Sequence, residues 1–152
     1  MALTFKAGNF ALNTATGNQT IDTGTGVEGK ALILFGTNQT AVGYANGVSG
    51  FFGCAASSTS RGVVAWAGDN AVATTNSGMG SSNALCIRIF SAGTPTVDAE
   101  ADFVSFGTGG SAGQFTLNVT DGPTGNTLIH YIYLGGTDIT NATVVRKTQA
   151  TA

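Results

Sequence analysis

The sequence predicts an all-β fold, an antiparallel β-sandwich with jelly-roll-like topology and about ten short strands, and three observations point to it. Charged residues make up only 9% of the chain, against roughly 25% in ordinary soluble domains. Glu, Lys, Arg and Gln, which build solvated helices, are therefore scarce, and no significant helix is expected. In their place stand 23 glycines and abundant Thr, Ser and Asn. Thr suits a half-buried pleated surface, and Gly and Asn suit turns. Short apolar stretches also recur, each closed by a Gly, Asn, Asp or Ser cluster.

Leu3 to Lys6 alternates and opens the chain as a strand. After the Gly/Thr-rich stretch from Thr14 to Gly29 comes Lys30 to Phe35, apolar at every position from Ala31 on. Such a run predicts a central strand with both faces covered. Val42 to Val48 and Phe51 to Ala56 are expected as two strands joined by a hairpin turn at Ser49-Gly50. Arg61 to Ala67 follows, with Trp66 near its end. The polar segment Gly68 to Asn83 predicts a long exposed loop with one weak strand at Ala71 to Thr74.

Ala84 to Phe90, Thr96 to Phe106 and Gln114 to Thr120 read as strands, the last two by alternation. The turn Asp121 to Asn126 leads to Leu128 to Leu134, and the last strand is expected at Ala142 to Lys147. No linker divides the chain, so residues 1–152 are expected to form one domain. Short polar arms, residues 1–8 and 147–152, are expected to order on a neighbour more readily than within the domain. No fixed-period repeat suggests a solenoid or propeller.

The net charge of −2 without a basic cluster leaves neither nucleic acid nor an anionic membrane as an expected partner. No apolar run nears the ~20 residues of a membrane-spanning helix. The Met1 to Lys6 start lacks a basic region followed by an apolar one, so no signal peptide is expected and synthesis is expected in a cytoplasm. Cys54 and Cys86, each in an apolar stretch, are expected as buried free thiols. Two cysteines without a CxxC, and one distant histidine, do not make a zinc site.

The strongest catalytic candidate is Asp98-Ala99-Glu100-Ala101-Asp102. Period two puts the three carboxylates on one strand face, ~7 Å apart, with Val97, Ala99, Ala101 and Phe103 on the other. That spacing could bind Ca²⁺ or pair an acid with a base. The segment resembles the E-x-D-x-x-E strand of jelly-roll β-glucanases, with Glu100 and Asp102 as its first two carboxylates. Ser105 stands where the third is required, which leaves no general acid. A solvated face that discourages edge pairing is the favoured reading.

His130 shares its strand face with Leu128, Ile132 and Leu134, which predicts a hydrogen-bonded core or interface residue, since no nucleophile or orienting acid can be assigned to it. The glycine clusters at Gly107 to Gly110 and Gly78 to Gly80 lack a following helix and a lysine, so they predict turns, not phosphate cradles. No catalytic, cofactor or metal residue is expected. A surface of Thr, Ser, Ala and Gly loses little on desolvation, which predicts broad subunit contacts and a homo-oligomer.

Three segments together resemble a structural β-sandwich domain of tailed-phage virions: Gly29 to Gly36, similar to that family's G-F-x-P-K-A-L-I-L-F strand; Ala99 to Phe106 with Gln114 to Asn118; and Ile129 to Asp138. With the strands between them they cover most of the chain. The sequence departs from that pattern at Val27-Glu28-Gly29, where the family carries an aromatic residue and a proline. The resemblance implies a virion structural protein, foremost a capsid decoration (cement) protein that binds the major capsid protein or other virion proteins, with a trimer as the expected oligomer. Its alternative is a tail or fibre module that binds a host-surface carbohydrate through the loops Gly36 to Ala41 and Gly68 to Asn83. It carries over no catalytic residue.

Overall fold

The computed structural model describes residues 2–39, 48–68, 77–91 and 96–145. Among them are ten strands: β1 (Thr4–Ala11), β2 (Gly17–Asp22), β3 (Gly29–Gly36), β4 (Val48–Ser57) and β5 (Ser60–Gly68) in the first half. β6 (Ser77–Ser82), β7 (Ile87–Phe90), β8 (Val97–Phe106), β9 (Gln114–Asp121) and β10 (Leu128–Gly135) complete them. The only helical turn among the described residues is a 3₁₀ turn at Gly109–Ser111.

The strands form two antiparallel sheets, a six-stranded one in the order β1-β10-β3-β4-β5-β6 and a four-stranded one in the order β2-β9-β8-β7. The all-β sandwich is therefore the predicted architecture. Its strand order is dominated by two meanders, β3 to β6 and β7 to β9, and jelly-roll connections are not evident in it.

The two inner faces meet in one core. Ile129, Tyr131 and Tyr133 of β10, Leu32 and Leu34 of β3, Phe51 of β4 and Val63 of β5 are buried from one side. Phe115, Leu117 and Val119 of β9, Phe103 of β8, and Ile87 and Ile89 of β7 are buried from the other. Phe115 packs edge-on to Tyr131 with ring centroids 5.4 Å apart, and Phe106 edge-on to Tyr133 at 5.8 Å. Edge-to-face pairs of this kind add to the area they bury. Tyr133 resolves its buried hydroxyl by donating to the Val27 carbonyl at 2.7 Å.

Several expected boundaries move. Ser49-Gly50 is not a hairpin turn, because β4 runs through it without a break. Ser49 points inward and donates from Oγ to the Phe90 carbonyl at 2.7 Å, tying the two sheets together. Gly50 leaves room for the Trp66 ring of the neighbouring strand. β2 was expected as part of a Gly/Thr-rich connection. It pairs with β9 along its length, with Ile21 as its one core side chain.

β6 lies in the segment expected as a loop, and its inward positions are Gly78, Gly80 and Ser82, so it carries no apolar periodicity to read. A side chain at Gly80 would meet Phe90 of the facing sheet at 3.3 Å, so the other layer fills that space. The expected strand at Ala142 to Lys147 does not form within residues 142–145. There the Val144 amide instead donates to Ser60 Oγ at 2.7 Å. Residues 4–8, expected within an N-terminal arm, are laddered to β10 as the first half of β1. The strand expected at Ala71 to Thr74, all of Val42 to Val48 but its last residue, and the arm at 147–152 lie outside the described residues.

Candidate functional site

The acidic row lies on β8 as the alternation predicts, with Ala99, Ala101 and Phe103 buried and Asp98, Glu100 and Asp102 on the opposite face. β8 is not an edge strand, however, because β9 and β7 flank it. Protecting an edge is therefore not what these carboxylates do. Each is held by a partner. Asp98 accepts from the Thr124 hydroxyl at 2.8 Å. Glu100 faces Arg88 directly across the β7–β8 ladder and accepts from its Nε at 2.7 Å.

Asp102 is paired with Arg61 of the other sheet, whose Nη2 donates to Oδ2 at 2.9 Å. Arg61 Nε lies against Asp102 Oδ1 but donates to the Ala84 carbonyl at 2.9 Å. Oδ1 thus receives no hydrogen bond and is offset only by the adjacent positive charge. The arrangement fastens two sheets and a loop, and none of the three carboxylates is left as a free acid–base partner to another. Among the described residues no group of three His, Cys, Asp or Glu is placed to hold a metal ion.

Cys54 and Cys86 are free thiols in different settings. Cys86 is fully buried, and burial drives its pKa far above the ordinary thiol range, with the Asp102 charge adding to the shift. Cys54 is only half-buried, contrary to the expectation for it, because it sits on the outward side of β4, opposite Ile33. Partial burial raises its pKa as well.

His130 does share a face with Leu128, Ile132 and Leu134, but the core face of β10 is the other one. His130 is exposed, and its ring stacks on Phe35 with centroids 5.6 Å apart and planes 18° from parallel. Phe35 in turn lies opposite Phe52 of β4, and Phe52 opposite Val64 of β5. This makes one row running across four strands.

The next row along the strands carries Ala7, Ile132, Ile33 and Cys54. Beyond it Phe5 faces Leu134, and on the far side Trp66 faces Met79. Phe52 is 48% exposed, Val64 51%, Trp66 43% and Met79 89%.

The outward positions of the six strands carry no Asp, Glu or Arg, and one lysine, Lys30, which sits at the bulged end of β3 and is paired with Glu28. The outer face of the four-stranded sheet is the opposite case, with Thr20, Thr116, Asn118, Arg88 and the acidic row pointing out. Soluble monomers rarely expose a broad contiguous apolar patch, and those that do use it for contact. The sequence carried half of this signal. The doubly apolar run Lys30 to Phe35 called for two covered faces, and among the described residues only the inner one is covered by a second layer. Phe5, Trp66 and Met79, dispersed in the sequence, join that face only through the strand register.

Compared with known proteins, the chain matches no protein-family model, no curated protein and no solved structure.

Proposed function

We propose that this chain is a non-catalytic structural subunit of an assembled particle, in its specific form a phage capsid decoration protein. The observation that carries the assembly reading is the largely apolar outer face of the six-stranded sheet, whose one charged side chain, Lys30, is paired with Glu28 at its margin. A face of this kind gains free energy when it leaves water, at about 25 cal/mol per Å² of apolar area. The acidic row of β8 supports the same reading, since Glu100 and Asp102 are consumed in ion pairs that brace the fold. The phage identity rests on the sequence resemblance of the β3, β8–β9 and β10 segments.

A second reading, a tail or fibre module that binds carbohydrate, has one observation in its favour. Val48 pairs with Gly68, and Gly68 with Ser77, so the connections after β3 and after β5 leave the same end of the sheet. Quantitative mass spectrometry of purified particles separates the two. A decoration protein is expected at near the copy number of the capsid protein, and added protein should raise the thermal stability of particles that lack it. A scarce chain that retains glycan or host cells points to the tail module. A chain missing from particles overturns both.

A further inference from the structure

We infer that the outer face of the six-stranded sheet is covered by the same face of a second copy of this chain, in a symmetric dimer centred on β3 and β4. The inference deepens the assembly reading and rests on it. Charge argues for a copy. The one charged side chain on its six strands is Lys30, at the bulged end of β3 and already neutralised by Glu28, so two identical faces meet with little like-charge repulsion. A partner selected by charge would need charged counterparts across the face, and the centre around Phe35 and Phe52 offers none.

Size argues the same way. Six strands ~4.8 Å apart, about eight residues long on average at ~3.3 Å per residue, cover roughly 25 Å by roughly 25 Å. Two such faces remove on the order of 1,000 Å² from water, which reaches the size of a specific interface.

Shape supplies the third argument. Stacked sheets pack ~10 Å apart when bulky side chains of one enter gaps in the other. This face alternates Phe35, Phe52 and Val64 with the small Ala31, Gly62 and Ala7. A second copy carries the same twist and the same alternation. A face-to-face contact closes with two copies, so this geometry favours a dimeric unit over the trimer expected from the sequence.

The test is sedimentation equilibrium of the full chain over a broad concentration range. Wild-type protein is expected at twice its 15.2 kDa mass. Phe35→Asp and Phe52→Asp, which point away from the core, are expected to weaken the dimer at least ~30-fold with β-sheet circular dichroism retained. Thr20→Asp, on the outer face of the other sheet, should leave it unchanged.

Cys54 gives a readout that needs no substitution. It lies on β4 beside the centre of the contact while Cys86 is buried, so a flexible bismaleimide should join two native copies. A monomer at every concentration, a dimer indifferent to Phe35→Asp and Phe52→Asp, or no cross-link through Cys54 would each overturn the pairing. The two readings fail separately. A dimer missing from particles ends only the virion reading, whereas a monomer found in particles ends only this one.

Discussion

The indole of Trp66 occupies the place where a side chain at Gly50 would stand: an added Cβ there would meet Cζ2 at 2.7 Å. The two residues are directly opposed on β4 and β5, on the outer face of the large sheet. A second glycine on the same strand, Gly53, faces inward, where a Cβ would overlap the backbone carbonyl of Cys86. The first neighbour is a ring that can swing into solvent. The second is main chain of the opposing sheet and cannot yield.

Gly50→Ala and Gly53→Ala should therefore differ sharply. Gly50→Ala is expected to change stability by less than ~1 kcal/mol, because displacing the ring offsets the usual gain of replacing a strand glycine. The fluorescence of Trp66, the only tryptophan, should shift as the ring moves. Gly53→Ala is expected to cost ~3 kcal/mol or more, since two sheets must separate to admit one methyl group. Urea denaturation of both variants measures the contrast, and equal costs would show that the opposing sheet gives way.

The core aromatics give a graded series. Phe103→Ala, which leaves a cavity at a fully buried position, is expected to lose ~3–5 kcal/mol. Tyr133→Phe keeps the ring and removes only the donor to the Val27 carbonyl, for which ~1 kcal/mol is expected. Thermal and urea unfolding of the two proteins should preserve that order.

The ion pairs should not be equal. Arg61 and Asp102 are mostly buried and link the sheets, so Arg61→Met leaves an uncompensated carboxylate and is expected to cost about 2 kcal/mol. Adding Asp102→Asn should recover part of that loss. Lys30 and Glu28 form a pair of similar length in a far more exposed setting, and Lys30→Ala should cost under ~0.5 kcal/mol. A double-mutant cycle on each pair provides the measurement.

Alkaline pH should destabilise the fold through Cys86. A group whose pKa is higher in the folded than in the unfolded chain holds more protons in the native state, so stability falls as pH rises past the unfolded value. The contribution is whole below the ordinary thiol value of ~8.5 and is lost progressively above it. Cys54 acts in the same direction. Tyr131 and Tyr133, whose pKa values burial also raises, add to the effect above ~10. The urea midpoint is expected to drop between about pH 8 and about pH 10, with a shallower slope in Cys86→Ala. At concentrations low enough to leave the chain monomeric, a maleimide should label Cys54 alone in native protein, and both thiols in urea.

The strands that were legible in the sequence, such as β3, β8, β9 and β10, are those whose inner positions carry large apolar side chains. β6 was hidden because Gly78 and Gly80 point inward where Phe90 of the other sheet fills the space. The break expected at Ser49-Gly50 failed for a related reason. Both residues have turn-like character, yet one serves a bridge to Phe90 and the other a tryptophan seat. Local propensity cannot register a demand that originates in a neighbouring strand.

Composition and period-two alternation by themselves determined that this chain folds as a β-sandwich, that β3 would be central, and that the carboxylates of β8 share one face. Those properties depend on side-chain type and on spacing within a strand, both of which are local. The register between strands was decided only in three dimensions. It brings Arg61 to Asp102, sets His130 on Phe35, and gathers Phe5, Phe52, Trp66 and Met79 on one apolar face. Contacts between strands far apart in the chain depend on which strands become neighbours, and that choice is made by the packing of the whole.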